Sequence, residues 1–237
     1  MLDKRYEFLR TEEKLGKHLM VLTLGGSRAY GTDVEGSDLD LRGVRLHTVE
    51  ELLTMDYDKK PFEDKELDVV VYPVKKALSL LSSGSPALFE MFGTKEEHVL
   101  HLSEEGKLLR DNLDLFLTQR LAFSYAGFAK KKREEILHQA PSKKSFKCAL
   151  HLLRTLAMGC EMLEGKGVQT YREHDRELLL EVRQGKYTFE EVFKMADELE
   201  ERFKKAKAET KLPKEVDSQK VKELLKEFTK KSLEKGL

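Results

Sequence analysis

Strand-forming runs are confined to the first third of this chain, and no other feature constrains its fold as strongly. Residues 19–24 (LMVLTL) form an unbroken apolar run that stops at Gly25-Gly26-Ser27, the pattern of a buried strand followed by a tight turn. Residues 38–46 (DLDLRGVRL) alternate polar and apolar with period two, as a half-buried strand does. Residues 66–72 (ELDVVVY) are β-branched at their centre, and Pro73 closes the run. Between the last two strands, TVEELLTM predicts a short helix followed by a loop to Pro61. Beyond Pro73 the signals turn helical. Ser85-Pro86 reads as an N-cap with proline at the first helical position, and Ser103 opens a helix that runs to about Phe116. Further helices are expected over 118–138, 142–165, 173–184, 188–208 and 214–233, with Lys211-Leu212-Pro213 separating the last two. The expected fold class is α+β: a small mixed sheet with flanking helices over residues 1–115, then an all-helical region over 116–237.

Composition narrows the function classes. No run approaches the ~18 apolar residues of a membrane span, and MLDKRYEFLR lacks the apolar stretch of a signal peptide, so a cytoplasmic protein with no membrane partner is expected. The 43 Lys and Arg balance 43 Asp and Glu, but unevenly along the chain. Residues 1–120 carry 17 basic and 23 acidic side chains, and residues 121–237 carry 26 and 20. An acidic half suits metal binding and a basic half suits phosphate. Cys148 and Cys160 fall on one predicted helix, ~18 Å apart along its axis at 1.5 Å per residue. A disulfide needs Cα atoms within about 7 Å, so both read as reduced, buried small residues. With no CxxC or HExxH, zinc chemistry is a poor reading. Lys and Glu supply 60 residues while Asn appears once and Gln five times, a thermophile-like bias.

Three features point to chemistry. The glycines of Gly25-Gly26-Ser27-Arg28 allow a sharp turn and close approach to a ligand, whose phosphate oxygens the amides and the serine hydroxyl can hold. In Asp38-Leu39-Asp40, period-two geometry puts both carboxylates on one strand face, where they repel unless a cation lies between them. Mg²⁺ suits such a pair, because it keeps positions for water and substrate phosphate. Asp68, at the head of VVVY, is costly beside valines unless paired or metal-bound, and Glu66 shares its parity as a competing ligand. In the basic half, seven Lys or Arg and two acids lie between Lys130 and Lys147. Lys147, His151 and Arg154 then fall at i, i+4 and i+7, a cationic ridge opposite the apolar stripe Leu150, Leu153, Leu156, Cys160 and Leu163.

The string Gly26-Ser27, ten residues, then Asp38-Leu39-Asp40-Leu41 and a later acid resembles the DNA polymerase β superfamily of nucleotidyltransferases. The longer run GGSRAYGTDVEGSDLDLRGV is most similar to its bacterial and phage RNA repair branch. The resemblance implies that Gly26 and Ser27, with Arg28 beside them, hold a nucleoside triphosphate. It implies that Asp38, Asp40 and Asp68 are catalytic residues binding two Mg²⁺ ions, with Mn²⁺ able to substitute. It further implies a helical domain closing over the nucleotide, to which Lys147, His151 and Arg154 correspond by type and placement. The expected reaction is transfer of an NMP from an NTP to a hydroxyl, on an RNA 3′ end, with release of pyrophosphate. A protein-modifying or small-molecule nucleotidyltransferase and a catalytically silent nucleic-acid-binding relative are the alternatives.

Overall fold

The computed structural model describes residues 8–12, 15–54 and 61–236. The loop expected up to Pro61 and the N-terminal seven residues lie outside these described residues. In chain order the elements are α1 (Phe8–Thr11), β1 (Leu19–Leu24), α2 (Gly26–Tyr30), β2 (Leu41–Arg45), α3 (Val49–Leu53), β3 (Phe62–Asp64), β4 (Val69–Pro73), α4 (Val74–Ser82) and α5 (Pro86–Phe92). They continue with β5 (Val99–Leu102), α6 (Glu104–Asp111), α7 (Arg120–Leu137), α8 (Lys143–Leu163), α9 (Arg176–Arg183), α10 (Phe189–Glu209) and α11 (Ser218–Gly236). The α+β architecture read from the sequence is the one observed.

The sheet is mixed, with order β3-β4-β2-β1-β5. β1 is antiparallel to β2 and β5, whereas β2 and β4 run parallel. Two strands escape the sequence patterns. β3 is three residues long, and β5 (VLHL) has too few residues to show a period, so its pairing with β1 decides its conformation. Two expected strands are also shorter at their starts. Asp38, Leu39 and Asp40 precede β2, and Asp68 lies in the turn between β3 and β4 with a left-handed backbone, φ 49°. The alternation expected from residue 38 therefore begins only at Leu41.

Helix starts follow local chemistry. Ser103 and Ser142 accept backbone hydrogen bonds from Gly106 and Ser145, satisfying N–H groups that a helix end leaves unpaired. Ser85 stands at the start of α5, but its side chain makes no cap; Pro86 at the first helical position supplies the boundary. α8 departs most from its pattern. From Cys148 onward nearly every residue is buried, because α7, α9 and α10 all pack on it. One apolar cluster joins Met20 and Val44 of the sheet to Met158, Phe203 and Phe228 of the C-terminal helices, crossing the boundary expected at 115/116.

Candidate active site

Strand register assembles one end of the sheet. Leu24 of β1 pairs with Leu41 of β2, so Gly25 faces Asp40, and the Gly25 N–H donates to the Asp40 carbonyl at 2.8 Å. Leu41 also pairs in parallel with Val69, which sets Asp40 beside Asp68, and the Leu41 N–H donates to the Asp68 carbonyl at 2.9 Å. The glycine–serine turn and two of the three aspartates thus meet because three adjacent strands end together. Gly26 has φ 56°, the left-handed region open to glycine, and a Cβ there would lie 1.7 Å from Asp40 Oδ2. As the first residues of α2, Gly26 and Ser27 carry N–H groups without intrahelical acceptors, the arrangement that receives phosphate oxygens.

The electrostatics of this end centre on Arg42. Its guanidinium lies 3.0 Å from Asp68 Oδ1 and 3.4 Å from Asp40 Oδ1. Burial, a hydrogen bond with Asp68 and repulsion from the same carboxylate push the Asp40 carboxyl up to about 6. The hydrogen bond from Asp40 holds Asp68 below the usual carboxylate range, with Arg42 assisting against burial. Asp40 is therefore the member of the pair that takes up a proton first as pH falls, and Asp68 the one that stays ionised longer.

A cavity of about 330 Å³ opens between this sheet end and the helices. Its walls include Gly26, Ser27, Asp40 and Arg42 on the sheet side, Glu90 of α5, Lys132 of α7, and Lys147, His151 and Arg154 of α8. The three α8 residues expected at the nucleotide do converge with Gly26, Ser27 and Asp40, but not as an exposed ridge. Lys147 is exposed, whereas the Arg154 side chain is 2% exposed. Arg154 Nη1 pairs with Glu90 Oε1 at 2.7 Å, and its guanidinium stacks 3.7 Å from the centre of the Tyr30 ring. The Tyr30 hydroxyl donates to the other Glu90 oxygen at 2.6 Å. Arg154 Nε and His151 Nδ1 are buried with no hydrogen-bond partner among the described residues. Burial, then the charges of Arg154 and Lys147, push His151 down to about 3, so it stands neutral.

Two expected ligands lie elsewhere. Arg28 Nη2 donates to the Ser37 carbonyl at 3.2 Å, so the guanidinium braces the loop leading to Asp38 and does not line the cavity. Asp38 is exposed and outside the cavity lining, and Glu66 is exposed in the β3–β4 turn. Sequence reasoning passed over Arg42 and Glu90. Arg42 shares the period-two parity of Asp40, and Glu90 is the lone charge in the apolar run ALFEMF; both were visible signals.

Residues 3–229 match the family described as RNA repair pathway DNA polymerase beta family. The chain belongs to this family. It is also similar to a Bacillus subtilis (strain 168) protein that bears the name Uncharacterized protein YcgL, with 21% identity over 164 residues, 68% of this chain and 62% of that relative. The match thus spans less than two thirds of the relative's length. Among the described residues no helix is long and apolar enough to cross a membrane.

The metal that this family implies can be tested against the donors present. Asp40 and Asp68 offer hard carboxylate oxygens close enough to share a hydrogen bond, and a divalent cation relieves that repulsion. The pair fits Mg²⁺ chemistry. Among the described residues no three His, Cys, Asp or Glu side chains are grouped to hold a metal, so the donor set as it stands is this pair.

Proposed function

We propose that this protein is an Mg²⁺-dependent nucleotidyltransferase that moves an NMP from an NTP to a hydroxyl at an RNA 3′ end. The reading is supported chiefly by one observation: Gly26 and Asp40 face Lys147 and Arg154 across a single cavity, and Asp68 stands beside Asp40 at the same sheet end, outside the cavity lining. The acceptor oxygen forms a bond to the α-phosphorus, the bond to the bridging oxygen of the β-phosphate breaks, and pyrophosphate leaves.

Each residue has a task in this reaction. The turn at Gly26 and Ser27 receives triphosphate oxygens, with Lys147 and Arg154 balancing their charge from the opposite wall. Arg154 is held ready by Glu90 and Tyr30, so its orientation costs little when substrate binds. Asp68, kept ionised by Asp40 and Arg42, accepts the proton of the acceptor hydroxyl. Asp40 and Asp68 would hold the metal. When bound there, Mg²⁺ (two ions, or Mn²⁺ in their place) supplies Lewis-acid stabilisation of the charge developing on the phosphates. His151, neutral and half-buried with its ring edge-on to Tyr30, shapes the wall without adding charge.

The test is incubation with each α-labelled NTP, Mg²⁺, and either total RNA or total cell protein. Label on RNA that disappears when 3′ ends are blocked is the expected result. Label only on polypeptide, or only on small molecules, would overturn the RNA acceptor.

A further inference from the structure

A second and larger cavity, about 670 Å³, lies between the first turn of α8, the last turn of α9 and the loop carrying Val34. Its charged lining is wholly cationic: Lys143, Lys144, Lys147 and Arg183. Resting on the RNA-acceptor reading above, we propose that this cleft holds the phosphodiester backbone of the acceptor strand just upstream of its reacting 3′ end.

The charges there are not neutralised by the protein. Among the described residues Lys143, Lys144 and Lys147 have no carboxylate within ion-pair distance, and Arg183 donates to uncharged oxygens, the Thr32 carbonyl and, at 3.5 Å, the Ser37 hydroxyl. Asp33 and Glu35 flank Val34 in sequence but do not line the cleft. The other basic segment behaves differently. Lys130 and Lys132 pair with Glu134 and Glu135, and Arg133 pairs with Asp197 and Glu200. Of the seven cations between Lys130 and Lys147, the uncompensated surface that lines a cavity is the part at residues 143–147. The positive field comes from side chains and not from a bare helix end, since Ser142 and Ser145 cap α8 reciprocally.

Continuity with the first cavity assigns the cleft to the acceptor and not to an unrelated anion. Lys147 lines both cavities. Along α8, Lys143, Lys147, His151 and Arg154 fall within about 80° of one another, at axial steps of roughly 6 Å for each four residues. One helical stripe thus leads from the open cleft to the wall facing Asp40. The floor is fixed: Phe146 lies 5.0 Å from the Phe189 ring and against Gly185, where a Cβ would come within 2.9 Å. A chain of repeating negative charge is the ligand that matches a fixed cationic track ending at a phosphoryl-transfer pocket.

The test uses the whole protein and a 5′-fluorescein single-stranded RNA, with anisotropy read from about 50 to 200 mM salt. Each phosphate released from contact removes about 0.7 from the log–log slope. Lys143→Ala/Lys144→Ala should therefore flatten the slope by about 1.4 and leave ATP binding unchanged. Lys130→Ala/Lys131→Ala is the control, and its slope should match the unaltered protein. All four side chains are exposed, and thermal melts of both variants should coincide with that of the unaltered protein. A cleft variant that keeps the full slope, or a control that loses as much, would overturn the cleft while leaving an RNA acceptor intact. Unaltered protein whose RNA binding ignores salt would instead remove the RNA reading, and this inference with it.

Discussion

Gly26 and Asp40 touch in a way that no other residue type at position 26 permits: a Cβ there would sit 1.7 Å from Asp40 Oδ2, on a backbone with φ 56°. The glycine of the turn is required by the aspartate as much as by any ligand. Gly26→Ala should therefore act twice. Left-handed alanine costs about 1–2 kcal/mol, which lowers the melting temperature by at least about 2 °C in a chain of this size. The methyl also displaces Asp40, so transferase activity should fall far more than stability does. A variant with unchanged turnover would show that this contact does not position Asp40.

Asp40→Asn keeps the side-chain volume and removes the charge. Loss of turnover of about a hundredfold or more is expected, with a melting temperature at or above that of the unaltered protein, since repulsion from Asp68 is relieved. Steady-state kinetics and a melt on one preparation check both parts.

Glu90 is a positioning residue for Arg154. Glu90→Ala strands a buried guanidinium, an uncompensated charge worth about 3–5 kcal/mol of stability. Adding Arg154→Met removes the stranded charge and should recover much of that loss. Urea unfolding of the two single variants and the double variant measures the coupling. A cost below about 1 kcal/mol for Glu90→Ala would mean that the pair is not the anchor it appears by geometry.

His151 makes stability fall in acid. Its pKa lies near 3 in the folded protein, against an ordinary value of 6.5, so the unfolded chain binds the extra proton. The contribution is complete above about pH 6.5 and is lost as pH drops toward 3, with a slope of at most about 1.4 kcal/mol per pH unit. Unfolding curves between these limits should flatten in His151→Gln. An unaltered pH slope in that variant would assign the acid sensitivity to other groups.

How far the fold and site were legible depends on whether local chemistry or distant partners set each residue's state. The run LMVLTL ending in Gly-Gly-Ser, the capped starts at Ser103 and Ser142 and the break at Pro213 were readable, because propensity, period and capping act within a few residues. The meeting of Gly26, Ser27 and Asp40 with the α8 triad was expected from the family resemblance alone; strand and helix spacing fix each group internally but not the approach of one to the other. β5 was not readable, since a four-residue strand is specified by the β1 edge that it joins.

Arg154 marks the same divide within the site. Its place on the polar stripe of α8 follows from the sequence, yet periodicity cannot say whether such a stripe meets water or another helix. Only the tertiary structure brings Glu90, 64 residues earlier, to its guanidinium and Tyr30 to its face, turning an expected surface cation into a buried, oriented one. Asp38 went the other way: alternation pairs it with Asp40, but β2 begins only where β1 and β4 supply hydrogen-bond partners, at Leu41. Sequence determined which charges this chain carries and at what spacing. The packing of helices against one end of the sheet decided which of them face each other, because ion pairing and desolvation depend on distances between segments remote in sequence.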